Sequence, residues 1–309
     1  METPHRIAAI ILTYRPDLAL LRRAVISLCP QVERILIVDN GTCWDADAVL
    51  GALSDTDRDR IEFIWLDANI GVGAGHNRGI RWARARGFSH VLMLDHDSIP
   101  GPDMVRHQVA ALDRLCAQGI PVAAVSARYV DRHTRRIGPF IRMRSWGLTQ
   151  VHCGSAGTGE LLETDFIISS GALIPVQVLD QVGDMNEGLF VDHVDTEWIL
   201  RCKAQGYRSF GACDALMEHS VGNTTFRFWF GRWRNTPLHS PERDYYLFRN
   251  SINVYRMPHA PWRWIVNDIL RLLGLVVIFP AFAPGRWRRI QLITRGIWHG
   301  LWGVTGPIR

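Results

Sequence analysis

Short apolar runs punctuate the first 130 residues at regular intervals. Ile7–Leu12, Arg34–Val38, Ile61–Leu66, His90–Leu94 and Val122–Val130 are each five to nine residues long and rich in Ile, Val and Leu. That length and composition predict strands buried on both faces, as in a parallel sheet. Between them lie stretches of helical period, one to about Leu28, one over about Gly75–Arg86 and one over Asp103–Gln118. The alternation predicts an α/β fold built on a doubly wound, mostly parallel sheet. The pattern loosens afterwards. Thr164–Pro175 reads as a strand with a polar break, and Leu189–Arg201 enters a helix that stops near Gly206. Past Gly222, helices are predicted at about 243–256, 262–279 and 287–301.

Polar residues collect where the apolar runs end: Thr13, Asp39, Asn69 and Asp95. In an open α/β sheet these ends form the rim where ligands bind. The fourth run ends in Asp95-His-Asp97-Ser98, two carboxylates one residue apart. In extended backbone, residues i and i+2 point the same way. The pair therefore suits one hard cation with open positions for a diphosphate. A competing reading is that Asp97-Ser98 caps a helix starting near Pro100.

A chain of 309 residues with 47% hydrophobic content can bury a large core. Its charge is uneven. Residues 221–309 carry thirteen Arg against Glu242, Asp244 and Asp268, a net of +10, which leaves −5 for residues 1–220 of a chain at +5 overall. Seven of the twelve tryptophans also follow residue 220. This predicts a catalytic domain over residues 1–222 and a basic, Trp-rich helical appendage over 223–309. Arg with Trp at helical spacing suits an anionic membrane surface better than nucleic acid. The run Leu272–Ala283 is 12 residues long, short of the roughly 20 a spanning helix needs. Six cysteines without a CxxC pair predict reduced thiols, and the first residues lack the features of a signal peptide, so a cytoplasmic location is expected.

Other motifs gain meaning from their order. Asn69-Ile-Gly71-Val-Gly73-Ala-Gly75-His-Asn77-Arg-Gly79 could bring backbone N–H groups to a phosphate, or could simply be a tight turn with close helix packing. Asp39-Asn-Gly41 offers a carboxylate to a pyrimidine imide, or forms an Asx-turn. Asp192-His-Val-Asp195-Thr-Glu197 concentrates carboxylates at a helix start, as general base candidates or as complements to the helix dipole. Asp195 and Trp198, three apart, are expected to share a face with Arg201 one turn on, where an Arg would keep the carboxylate ionised. Arg243, Tyr246 and Arg249 lie near one helix face, suited to a diphosphate or forming a solvated basic stripe.

Taken in this order, the motifs resemble family 2 inverting glycosyltransferases of the GT-A fold, and more narrowly the bacterial L-rhamnosyltransferases. The resemblance covers about residues 5–257 and rests on Thr13-Tyr-Arg-Pro16, Val38-Asp-Asn40, Asn69–Gly79, Leu94–Ser98, Phe166–Leu173, Leu189–Trp198 and Arg243–Asn250. It implies that Thr13, Tyr14, Arg15, Asp39, Asn69, Gly71, Asn77 and Asp95 bind the nucleotide. Asp95, Asp97 and His219 would hold a divalent cation, Mg2+ or Mn2+. Ser170, Gly171, Asp192 and Glu197 would approach sugar or acceptor, Asp195 would be the catalytic base, and Arg243, Tyr246 and Arg249 would close on the diphosphate. One departure is His76, where many relatives carry Arg before the Asn. The implied donor is dTDP-L-rhamnose, the implied acceptor a glycolipid or lipid-linked glycan, and the implied station the cytoplasmic face of the inner membrane.

Three other classes fit less well. A nucleotidyltransferase would carry a Gly-rich basic loop after the first strand, where this chain has Thr13-Tyr-Arg-Pro-Asp17. A non-catalytic nucleotide-sugar sensor would not need Asp195 and Glu197. A nucleic-acid binder would explain only the basic tail.

Overall fold

The computed structural model describes residues 5–132, 134–144, 147–154, 157–219, 224–230, 232–238 and 240–308. Strand β1 (Ile7–Thr13) leads through helix α1 (Leu18–Leu28) to β2 (Arg34–Asp39). Two short helices, α2 (Asp47–Leu50) and α3 (Asp55–Arg58), precede β3 (Ile61–Trp65). Helix α4 (Val72–Ala85), β4 (His90–Asp95), the two-residue β5 (Ile99–Pro100), α5 (Met104–Ala117) and β6 (Val122–Asp131) follow. Next come β7 (Phe140–Arg144), β8 (Gly147–Val151), β9 (Leu161–Thr164), β10 (Ala172–Pro175), α6 (Val176–Val182) and α7 (Val194–Ala204). Then come β11 (Arg208–His219), β12 (Thr224–Phe230), β13 (Arg232–Leu238), α8 (Pro241–Tyr255), α9 (Trp262–Phe282) and α10 (Arg286–Leu301).

The main sheet runs β3-β2-β1-β4-β10-β6-β11-β5, with β9 on β11. β1, β2, β3 and β4 are mutually parallel, and β6 is parallel to β11. β10 lies antiparallel between β4 and β6. The five apolar runs are therefore strands, and helices cover both faces over two buried clusters. The register sets Thr13 beside Asp39 and Leu12 beside Asp95, so the polar strand ends share one rim. The doubly wound α/β expectation holds, with β10 as its antiparallel member.

The glycines after β3 serve backbone packing. Gly71 has φ +92°, and a Cβ there would meet Phe190 at 2.7 Å. A Cβ on Gly79 would meet Ile10 at 2.4 Å, so α4 lies directly on β1.

The three C-terminal helices form where expected. α8 is largely buried, and its Asp244 forms a buried ion pair with Arg289 of α10. Phe248, Leu272, Phe279 and Ile293 join α8, α9 and α10 in a core of their own. The expected boundary at residue 222 lies outside the described residues. No helix among the described residues is long and apolar enough to cross a membrane. One expectation fails: Cys153 and Cys213 form a disulfide across 60 residues, which ties the segment after β8 to β11. Partners so far apart leave no spacing signal. The other four cysteines are free.

Candidate active site

The strand-end aspartates sit at the head of a cavity. After Asp97 the chain enters β5, whose Ile99 pairs with Glu218 of β11. Asp97-Ser98 therefore does not cap a helix; α5 begins only at Met104. The β5–β11 pairing delivers His219 to the aspartates. One donor atom from each of Asp95, Asp97 and His219 lies within 4.8 Å of the other two. His219 Nδ1 is 3.7 Å from Asp97 Oδ1 and 2.8 Å from Ser98 Oγ. Ser98 Oγ meets Ser170 Oγ at 2.6 Å, and Ser170 Oγ accepts the Asp95 N–H at 3.1 Å. This buried hydroxyl chain ties the Asp95 backbone to His219, which in turn faces Asp97. Two carboxylates and an imidazole are hard and borderline donors, a set that fits Mg2+ or Mn2+.

A second carboxylate faces the same cavity. Phe190, Asp192 and His193 all have positive φ, at +64°, +59° and +62°. Such conformations cost about 1–3 kcal/mol each in non-glycine residues and concentrate at functional sites. They turn the chain sharply into α7, and Asp195 falls in its first turn. Its Oδ1 accepts the Thr196 N–H at 2.8 Å. Burial raises the Asp195 pKa, outweighing the N–H groups of Thr196 and Ser169 that favour the carboxylate. A base lifted toward the working pH takes a proton more effectively. His193 Nε2 is 2.8 Å from Ser251 Oγ of α8, and burial lowers the pKa of its imidazole.

The opposite wall comes from α8, α9 and the β7–β8 hairpin. Arg243 donates to Asp192, Nε to Oδ2 at 3.2 Å, and its guanidinium also feels Asp95 and Asp195. The cavity has a volume of about 880 Å³, and its lining includes Asp95, Ser169, Asp192, His193, Asp195, His219 and Arg243. Further out it is bounded by Leu148, Thr149 and Gln150 of the hairpin and by Trp264, Asn267, Asp268 and Arg271 of α9. That size suits a nucleotide sugar with part of an acceptor.

A profile of glycosyl transferase family 2 matches residues 8–173, more than half of the chain. The chain belongs to glycosyltransferase family 2. It is a glycosyltransferase with a GT-A-type fold. It is 27% identical over 301 residues, 97% of each chain, to the dTDP-rhamnosyl transferase RfbF of Shigella flexneri. It is 32% identical over 140 residues, 45% of this chain and 51% of the other, to a polyprenol monophosphomannose synthase of Mycolicibacterium smegmatis. In structure it resembles TarS residues 1–349 of S. aureus in complex with UDP-GlcNAc (TM-score 0.61, 12% identity, 97% of this chain and 81% of that one). It also resembles the mannosyltransferase PcManGT of Pyrobaculum calidifontis with GDP-Man and Mn2+ (TM-score 0.56, 15% identity, 96% and 87%).

Within this family 2 fold, several residues expected at the ligand are tied into the frame. Asp39 is fully buried, and its carboxylate accepts from Thr13 Oγ1, Thr42 N, Thr42 Oγ1, Cys43 N and Trp44 Nε1 at 2.6–2.9 Å. It holds the 42–44 loop, as the Asx-turn reading has it, with Thr13 as one of its donors. Asn77 exchanges hydrogen bonds with Met185 and donates to Glu187, pinning α4 to the segment before α7. Glu197 is buried away from the cavity, bound by Arg201 at 2.9 Å and by His259 at 2.9 Å. Arg201 thus partners Glu197 and not Asp195. Ser170 and Gly171 lie behind the wall, and Ser169 takes the cavity position. Arg249 is fully buried and donates to the carbonyls of Leu189 and Gly306. The Tyr246 hydroxyl accepts the Ile308 N–H at 2.8 Å, and its ring stacks on Phe190. Of the three expected diphosphate residues, only Arg243 lines the cavity.

Tyr14 and Arg15 stand exposed beyond β1, with Arg15 over the Tyr14 ring. Asn69 Oδ1 accepts the Gly71 N–H at 2.9 Å, and the Gly71 carbonyl accepts from Asn40 at 3.3 Å. His76 is buried behind the rim and has neither ring nitrogen hydrogen-bonded; burial lowers its pKa, and Asp95 opposes that shift. The residues that sequence reasoning missed are His193, Ser169 and the α9 set Trp264, Asn267, Asp268 and Arg271. Asp268 and Arg271 carried a signal. Two opposite charges inside an otherwise apolar helix mark a polar face, and here Arg271 Nε donates to Asp268 Oδ1 at 2.9 Å.

Proposed function

We propose that this transferase moves L-rhamnose from dTDP-L-rhamnose, with inversion, to a hydroxyl of a glycolipid or lipid-linked glycan. The observation that carries the reaction type is Asp195, a buried carboxylate across one cavity from Asp95, Asp97 and His219. The donor assignment leans on the end-to-end similarity to a dTDP-rhamnosyl transferase.

The acceptor hydroxyl is placed against Asp195, which takes its proton as the oxygen attacks the anomeric carbon. Attack comes from the face opposite the diphosphate, so the configuration inverts. Arg243 turns its guanidinium toward the departing diphosphate, and Asp192 holds it there. Thr196 and Ser169 fix the orientation of the Asp195 carboxylate through their N–H groups, and the recessed wall limits competing water. Asp95, Asp97 and His219 would hold Mg2+ or Mn2+, which when bound supplies positive charge to the diphosphate.

The test is a donor screen. The purified chain is given dTDP-L-rhamnose, other dTDP sugars, UDP-GlcNAc or GDP-mannose, with a lipid-linked glycan fraction and Mg2+ or Mn2+. Nucleotide release and sugar transfer to lipid are followed. Transfer from dTDP-L-rhamnose above all others supports the assignment. Preference for a UDP or GDP sugar overturns the donor, and nucleotide release without transfer to lipid overturns the acceptor class.

A further inference from the structure

Twelve of the eighteen large apolar side chains exposed among the described residues lie after residue 260. Seven belong to α9: Trp262, Val266, Ile269, Leu270, Leu273, Val276 and Val277. At about 100° per residue they fall within an arc of about 120°, the width of an apolar helix face that seeks a partner. Trp264, Asn267, Asp268 and Arg271, which line the cavity, lie on the opposite side of the same helix. Helix α9 is thus a wall one helix thick. Its inner face bounds the reaction cavity, and its outer face is apolar and exposed, with Leu270 64% and Val277 66% accessible.

We propose that the outer face of α9 docks on an anionic lipid bilayer. The proposal deepens the transferase reading, on which it rests only for the role of the cavity.

Charge selects lipid over a second copy of the chain. Residues 221–309 carry a net of +10, and among the described residues Arg256, Arg263, Arg286, Arg288 and Arg295 are exposed. A twofold self-contact would bring two such surfaces face to face. An anionic headgroup layer instead attracts them, by about 1 kcal/mol for each Arg near the surface. Arg263 stands beside Trp262 at the start of the stripe, 5.7 Å from its ring. Tryptophan with arginine is the pairing that settles at the boundary between headgroups and acyl chains. The helix is too polar to span, so it lies in the plane of the surface. A lipid-anchored acceptor then has only the thickness of one helix, about 10 Å, between its anchor and the cavity.

The test is vesicle flotation of the full chain, on phosphatidylcholine alone and on phosphatidylcholine mixed with phosphatidylglycerol. The wild type should float with the mixed vesicles and dissociate at high salt. Leu270→Glu with Val277→Glu sets two carboxylates against the anionic layer and should weaken association about thirtyfold. Both side chains are exposed and lie outside the cavity, so the melting temperature and dTDP binding should match wild type. A wild type that stays unbound overturns the proposal, as does a double variant that floats equally well. A wild-type dimer that this variant converts to a monomer, without flotation of either, assigns the stripe to self-association and also overturns it. Loss of dTDP binding by the wild type would instead sink the transferase reading and leave the flotation result intact.

Discussion

Replacing Asp195 with asparagine should separate the chemistry from the frame around it. Asparagine keeps the shape of the carboxylate, and its amide oxygen can still accept the Thr196 and Ser169 N–H groups. What it cannot do is take a proton from the acceptor hydroxyl. General-base catalysis contributes about 10²–10⁴-fold, so kcat should fall by that factor, equivalent to roughly 3–5 kcal/mol of barrier. Stability should move the other way. Burial raises the Asp195 pKa, so the folded state at neutral pH disfavours the charge that asparagine removes. Asp195→Asn should therefore melt no lower than wild type, and its affinity for dTDP should be unchanged by calorimetry. In the wild type the acid limb of kcat/KM should lie above about pH 4, the usual carboxylate range, because the proton leaves Asp195 late. Transfer of labelled sugar into an organic-extractable product, measured at saturating donor, reads the first effect. A variant that keeps transfer within a few-fold of wild type refutes the base assignment. One that melts several degrees lower shows the carboxylate to be structural.

Three further predictions concern residues with different duties. Arg243→Gln should reduce kcat by about 10²–10³-fold, the scale for losing one donor to developing charge, with little change in melting temperature. Arg249→Gln should instead lower stability by about 2–4 kcal/mol in urea unfolding, because it strands the carbonyls of Leu189 and Gly306, and should leave dTDP affinity near wild type. His90 is pushed down to about 4 by burial, with His5 adding to the shift. Below about pH 6.5 the unfolded chain binds the proton that the folded one refuses, so stability falls as pH drops from about 6.5 to 4, by roughly 3 kcal/mol. Urea unfolding across that range should show the loss in wild type, and His90→Gln should lack this part of it.

The strands were readable because each is an unbroken apolar run buried on both faces, and the polar strand ends placed Thr13, Asp39 and Asp95 on one rim. The β7–β8 hairpin was not readable. Phe140–Arg144 and Gly147–Val151 are half-exposed and short, with no run or turn signature strong enough to mark them. β5 has two residues and owes its existence to β11, yet it brings His219 to Asp97. The Arg201 assignment failed for a geometric reason. Six residues separate it from Asp195, about 240° around a helix, whereas Glu197 is four residues away and on its own face. The same limit applies to Arg243, Tyr246 and Arg249. Spacing says that they are near one another on α8, and only the packing of α10 and the chain end says which of them meets the cavity.

That packing also changes what the C-terminal segment is for. The strained turn over Phe190, Asp192 and His193 would relax unless something held its carbonyls. Asn250 Nδ2 donates to the carbonyls of Leu189, Val191 and Asp192 at 2.7, 2.6 and 3.0 Å, and Arg249 donates to Leu189 at 3.0 Å. Both residues sit in the buried part of α8, and Ser251 beside them meets His193. The helix expected to grip the diphosphate thus grips the loop before Asp195, the proposed base, and of Arg243, Tyr246 and Arg249 only Arg243 lines the cavity. α9 then closes that cavity with one side and leaves the other apolar and exposed. The C-terminal helices therefore take part in building the cavity. Without α8 the turn before Asp195 has no partner for its carbonyls, and without α9 the cavity has no outer wall.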